Sequence, residues 1–120
     1  MSKIDSAQLV GTWRSYKREF NNQEKFDDGG NWIEWRFDKD GKAHFLLSMD
    51  NKTIIDHIDR YWSVDEHQDG DVLIQELTIT SASNKNEIIS IDKDFLVLKN
   101  DKGSITHFAS MMKWYSVIKN

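Results

Sequence analysis

Apolar and polar residues alternate along most of the chain, in runs of roughly six to ten residues that short polar turns separate. A period of two is typical of strands that bury one face. The alternation predicts eight strands, over Thr12–Phe20, Asn31–Phe37, Lys42–Met49, Thr53–Val64, Asp71–Thr80, Lys85–Ile91, Phe95–Lys99 and Ser104–Lys113. A helical period is confined to the N-terminus, where Ile4–Val10 predicts one short helical turn that ends at Gly11.

The connections between these strands are too short for the crossover helices that a parallel sheet needs. Asp38–Gly41 and Asn100–Gly103 each end in a glycine, which supplies the positive φ of a tight hairpin. Asn21–Gly30, the longest connection, is predicted to be a polar surface loop, with a mobile lid as the alternative. The pattern therefore predicts an all-β fold, an eight-stranded antiparallel up-and-down barrel with a short N-terminal helical turn, in which residues 1–120 form one domain. A β-sandwich of the same strands is the alternative.

One face of the second to fifth predicted strands carries most of their large apolar side chains. If that face points inward, four neighbouring strands form one continuous wall. The residues predicted to line this wall and to bind a ligand are Trp35, Phe37, Phe45, Leu47, Ile58, Arg60, Trp62, Gln75 and Leu77. The first and last strands do not alternate cleanly, since Trp13 and Tyr16 have opposite parity, so their inward faces stay unassigned.

Arg60, Gln75 and Asp56 are the polar residues on the predicted inward face. A buried charge needs a partner, and in a continuous strand Asp56 reaches Arg60 only through a neighbouring group or a water. Arg60 then has two possible roles. Either it lies at the rim and extends to solvent, or it binds the polar head group of a ligand together with Gln75.

Composition excludes several classes of function. The net charge of −4 lacks the basic excess with which proteins bind nucleic acids. The chain has no cysteine for disulfides or thiol chemistry, and its longest apolar run, Phe95–Leu98, is far too short for a membrane span. The N-terminus is polar, which predicts a cytoplasmic protein unless a signal peptide has been removed.

Motifs for catalysis, cofactors and metals are missing from the sequence. None of the 4 histidines has the spacing of a zinc site, and no nucleophile elbow, phosphate loop or dinucleotide motif is present. Asp65–Asp71 matches a calcium loop in part, with Gly70 at the sixth position, but His67 occupies a ligand position, so a solvated turn is predicted. The sequence therefore predicts no enzyme, no cofactor and no metal.

Leu9–Arg14 resembles the opening of the lipocalin family, in which a short helical turn leads into a Gly-x-Trp motif on the first barrel strand. Gly11 and Trp13 occupy the two motif positions here. Apart from the resemblance, the Trp13 ring is large enough to plug the closed end of a tapering barrel. Where the family has an arginine on the last strand that stacks across this tryptophan, the chain has Lys113, whose ammonium group stacks less well.

Two further segments, Trp35–Lys42 and Asp92–Leu98, resemble the small bacterial lipocalin-like domains. Such domains tend to end with an aromatic strand that closes on a basic residue, as His107–Lys113 does. The resemblance and the inward aromatic residues predict a non-catalytic protein that holds a small apolar or amphipathic ligand inside the barrel. A cavity of about 300 Å³ or more would favour this function.

The alternative is a protein-interaction module of the immunity or inhibitor type, with a filled barrel. Its predicted anchors are aromatic residues on the outer surface, Trp32, Tyr61, Trp114 and Tyr115, and its acidity would favour a basic partner. An enzyme built on the same barrel is the third hypothesis, with no motif in its favour.

Overall fold

The structure, a computed structural model, describes residues 5–80 and 84–118. A 3-10 turn over Ser6–Leu9 precedes the first strand, and a helix, α1, over Met111–Val117 follows the last. The strands are β1 Gly11–Phe20, β2 Gln23–Phe26, β3 Trp32–Phe37, β4 Lys42–Met49, β5 Lys52–Ile55, β6 Arg60–Asp69, β7 Val72–Ile79, β8 Asn84–Ile91, β9 Phe95–Asn100 and β10 Ile105–Ser110.

Eight of these strands form a ring, in the order β1, β3, β4, β6, β7, β8, β9 and β10, and β10 pairs with β1 to close it. Every pairing is antiparallel, so the all-β antiparallel prediction is confirmed. The two short strands lie beside the ring path. β1 pairs with β3 through its first half and with β2 through its second, while β4 pairs with β6 and then with β5.

The predicted strand Thr53–Val64 is wrong in its middle, because the chain leaves the sheet between Ile55 and Arg60. The Asp56 side chain accepts a hydrogen bond from the Ile58 amide, which bends the backbone away from the strand path. The acidic segment Asp65–Asp71 is not one turn either. Residues through Asp69 belong to β6 and pair with β7.

Two further boundaries differ from the prediction. The loop predicted over Asn21–Gly30 contains strand β2, which forms a hairpin with β1. The last strand ends at Ser110, and the residues up to Lys113 that were predicted to extend it belong to α1. The helix forms because Trp114 buries its ring on the sheet and its indole N–H donates to the Ser15 carbonyl at 2.8 Å.

The sheet buries apolar side chains on both faces. The inner cluster, inside the ring, consists of Leu9, Trp13, Trp35, Phe37, Ala43, Leu77, Ile79, Ile88, Leu96, Leu98 and Phe108. The outer cluster, beneath α1, consists of Trp32, Ala109 and Trp114, with Tyr16, Leu46, Phe95, Val117 and Ile118 packed against it. A side chain is called inward here when it shares the face of the inner cluster.

Candidate functional site

The two ends of the ring are distinguished by what covers them. Consecutive antiparallel connections alternate between ends, so the β3–β4 and β8–β9 turns lie at the end where β1 begins. The 3-10 turn precedes β1 at that end, and its Leu9 is fully buried in the inner cluster. This is the capped end. The opposite end, called the open end, has the β1–β2, β4–β5 and β9–β10 turns.

Aromatic side chains fill the interior next to the capped end. The Trp35 ring lies 6.0 Å from Phe37 and 4.7 Å from Phe45, and Phe37 lies 5.6 Å from Trp62, measured between ring centroids. Trp13 is 3% exposed, and its indole N–H donates to the Leu9 carbonyl at 2.9 Å. This hydrogen bond therefore links β1 to the 3-10 turn that covers this end.

Apolar inward side chains at the open end are exposed. Ile54 pairs with Leu47, which follows Phe45 at a spacing of two on β4, so Ile54 and Met49 both face inward. Each is 54% exposed, and Phe20, which faces inward from β1, is 52% exposed. The inner wall thus passes from a packed aromatic core at one end to a solvent-accessible apolar rim at the other.

The nine predicted wall residues do not share one environment. Trp35, Phe37 and Leu77 are buried in the inner cluster, Phe45 and Trp62 pack against it, Gln75 is buried, and Leu47 and Arg60 are half-buried. Ile58 does not line this wall, since it lies in the bend between β5 and β6 and is 58% exposed. Its placement rested on the alternation of a continuous strand, which the bend interrupts.

Arg60 points inward beside Ala43 and pairs directly with Asp56, whose Oδ2 accepts from Nε at 3.0 Å and from Nη2 at 2.7 Å. The direct contact corrects the expectation of a mediated pair, and the bend at 56–59 makes it possible. The Ile58 amide and the Arg60 guanidinium lower the pKa of Asp56 through hydrogen bonds to its carboxylate. The ion pair therefore lies within the bend at 56–60, next to the two-residue pairing of β4 with β6.

A buried polar group on the inner wall was missed by the sequence reasoning. Ser15 Oγ donates to Asp27 Oδ2 at 2.5 Å, and Arg18 Nε donates to the same oxygen at 3.2 Å. The β1–β10 register shifts between Ser15 and Lys17, a bulge at Tyr16. The bulge turns the even-numbered Arg18 onto the inward face that Trp13 and Ser15 occupy, and the irregular alternation of the first strand was the available signal.

Trp13 and Lys113, which the family resemblance brings together, lie on opposite faces of the sheet. Trp13 lies inside, while Lys113 lies on α1 with its ammonium 5.9 Å from the Phe95 ring of the outer cluster. The expected stacking of Lys113 across Trp13 is therefore wrong. A guanidinium does stack on the outer face, where Arg14 lies 3.7 Å from the Trp32 ring centroid and 4.5 Å from that of Trp114.

Two cavities of a size suited to small molecules lie away from the nine predicted residues. One of about 350 Å³ lies beside the 3-10 turn, between Val10 and Lys93, and one of about 320 Å³ lies by the β1–β2 turn at Phe20. Within residues 5–80 and 84–118, no group of three or more His, Cys, Asp or Glu side chains could hold a metal ion. Over the same residues, no helix is long and apolar enough to cross a membrane.

No protein-family model matches this chain, and no curated protein matches it either.

Proposed function

We propose that this chain is a non-catalytic binding protein that holds a small apolar or amphipathic ligand inside an eight-stranded, lipocalin-like up-and-down barrel. The ligand lies in the open half of the interior, between the aromatic packing of the capped end and the exposed rim. Its apolar part packs against Phe45, Leu47 and Ile54, and its polar part faces the side chains near the open end.

The gradient of burial along the inner wall carries this proposal. An exposed apolar side chain by itself is ordinary, but Phe20, Met49 and Ile54 all lie on the inward face and all are more than half exposed. A ligand that covered them would gain about 25 cal/mol for each Å² of apolar surface removed from water. The aromatic packing of the capped end would keep such a ligand in the open half.

The test is a titration of the protein with a neutral apolar fluorescent probe, followed by probe emission and by tryptophan fluorescence. We expect saturable binding, and we expect Ile54→Glu to weaken it at least about tenfold because a carboxylate on the apolar wall must be desolvated. Ile89→Glu is the matched control, since Ile89 is 47% exposed and lies on β8, away from the rim. Absence of saturable binding, or equal effects of the two variants, would contradict the proposal.

A protein-interaction role is the second candidate, and a patch on the outer surface favours it. Ile55, Ile58 and Tyr61 are 60%, 58% and 51% exposed and lie within seven residues of one another, beside the acidic residue Asp59. Two of the predicted anchors, Trp32 and Trp114, are instead buried in the outer cluster. A stoichiometric complex with a basic protein that Ile55→Asp abolishes and Ile89→Asp retains would support this candidate.

A further inference from the structure

We infer that Arg18 binds the head group of the ligand, and that this head group is a carboxylate at the end of an apolar chain. The inference rests on the proposed function, since it names the chemistry of the ligand that the open half would hold. The sequence pattern predicted Arg60 as the residue that binds the head group. The structure favours Arg18 instead, which lies on the strand whose inward face alternation could not assign.

The bulge at Tyr16 turns Arg18 toward the interior. Arg18 pairs with Thr106 across the β1–β10 ladder, and Thr106 pairs with Leu98, a member of the inner cluster. Cross-strand partners share a face, so Arg18 is inward. Its side chain is 37% exposed and lies on the same face as the rim residue Phe20, two positions further along β1. A ligand that entered at the open end would therefore meet this guanidinium at the rim.

The hydrogen bonds of Arg18 leave most of its donors available. Only Nε is bonded, to Asp27 Oδ2, and the terminal nitrogens have no hydrogen bond or ion pair with the residues that the structure describes. A guanidinium presents its donors as a planar fork that matches the two oxygens of a carboxylate. The two terminal nitrogens of Arg18 can therefore donate hydrogen bonds to a ligand carboxylate, and the bond from Nε to Asp27 need not break.

The Arg18 guanidinium is held at Nε by the buried carboxylate of Asp27. Asp27 is 4% exposed and is fixed by the Ser15 hydroxyl and by its own amide, which donates to the Tyr16 carbonyl at 2.9 Å. Ser15 in turn accepts from the Ile33 amide at 2.9 Å. A receptor group that is already positioned loses less side-chain entropy when the ligand binds.

The charges around Arg18 also favour a head group with a single negative charge. Asp27 neutralises Arg18, and Lys25, the cross-strand partner of Arg18 on β2, adds one positive charge on the same face, so the site matches an anion of single charge. A monoanionic carboxylate fits such a site, whereas a phosphate dianion next to the Asp27 carboxylate meets stronger repulsion. The remaining arginines are less suited. Arg60 has two nitrogens on Asp56 and a side chain only 12% exposed, and Arg14 is stacked on the outer face.

The experiment compares dodecanoate, dodecyl phosphate and dodecanol as competitors that displace a neutral apolar probe from the full chain. We expect wild-type protein to bind dodecanoate about 10- to 100-fold more tightly than dodecanol, the gain of a charge-assisted bidentate contact. Arg18→Gln should abolish this preference and leave the affinity for dodecanol unchanged. Arg36→Gln, which changes an exposed arginine on the outward face, is the matched control and should retain it.

Each other outcome decides against a stated part of the inference. Loss of the preference in Arg60→Gln but not in Arg18→Gln would overturn the assignment to Arg18, and equal or tighter binding of dodecyl phosphate would overturn the carboxylate. Displacement with no preference among the three competitors would overturn the inference and leave the proposed function standing. Failure of the probe to bind would overturn both. If Arg18→Gln does not fold, Arg18→Lys is used, and we expect it to reduce the preference because an ammonium lacks the fork.

Discussion

The capped and open halves of the ring interior are built from the same strands, yet they differ sharply in burial. On β1, Trp13 is 3% exposed near the capped end and Phe20 is 52% exposed near the open end. On β4, Ala43 and Met49 differ in the same way, at 3% and 54%. Each pair shares the inward face, so side-chain parity does not explain the difference. What differs is the cover at each end.

The cover of the capped end is a local structure. The Asp5 side chain accepts from the Ala7 amide at 3.0 Å, and the Gln8 side chain accepts from the Asp5 amide at 2.9 Å, so the 3-10 turn begins with a capping box. The turn then positions Leu9 over the interior. The Trp13 indole N–H donates a hydrogen bond to the Leu9 carbonyl. One half of the wall therefore supports the fold, while apolar side chains of the other half stay exposed to solvent.

The largest effect is expected from Trp13→Ala. The substitution removes a buried aromatic ring and its hydrogen bond to the 3-10 turn, so we expect a loss of about 3–5 kcal/mol in the free energy of unfolding. Phe20→Ala on the same strand should change it by less than about 1 kcal/mol, because the ring is half exposed. Chemical denaturation of both variants measures the difference. Similar losses at the two positions would abolish the distinction between the halves.

An intermediate effect is expected where the two halves meet. Ser15→Ala removes the hydroxyl that bonds both Asp27 and the Ile33 amide, so the Ile33 amide loses this acceptor and Asp27 Oδ2 keeps only the hydrogen bond from Arg18. We expect the free energy of unfolding to fall by about 1–3 kcal/mol. The exposed Ser90 is the control, and Ser90→Ala should unfold at the wild-type denaturant concentration. An unchanged midpoint for Ser15→Ala would show that these hydrogen bonds contribute no net stability.

A small effect is expected at the rim. Ile54→Ala should change the free energy of unfolding by less than about 0.5 kcal/mol, since the side chain is already 54% exposed. The same substitution at Ile79, which is 1% exposed in the inner cluster, should cost about 2–5 kcal/mol. Thermal and chemical unfolding compare the pair directly. A large loss at Ile54 would assign the rim a structural role and weaken the proposed binding function.

The smallest effect is expected from acid at the joint between β4 and β6. The pKa of Asp56 is lowered by hydrogen bonds from the Ile58 amide and Arg60, so the folded state favours the carboxylate. Such a group contributes stability above the ordinary carboxyl pKa of about 4, and the contribution is lost as the pH falls through the lower folded value. We expect Asp56→Asn to reduce the decline of the unfolding midpoint below about pH 4. Parallel curves for variant and wild type would contradict this.

Regions of simple alternation could be predicted from sequence, and the candidate site could be predicted only in part. β4 has the predicted bounds, and Trp35 and Phe37 of β3 share the inward face that alternation assigned to them. Arg60 is inward as well and Asp56 is its partner, but their direct contact was not predicted because the bend at 56–59 depends on a side chain that bonds the backbone. Ile58 was misplaced for the same reason.

The sequence by itself determined the all-β class, the antiparallel character of the sheet and tight turns such as the one at Gly41, where φ is 94°. These features depend on residues close together in the chain, which periodicity and turn chemistry describe. Only the tertiary structure decided the bulge at Tyr16, the inward turn of Arg18 and the helix at Trp114. Each depends on a partner distant in sequence, as when the Trp114 indole bonds the Ser15 carbonyl 99 residues away. No local pattern records such a contact, because its free energy is realised only when the ring has closed.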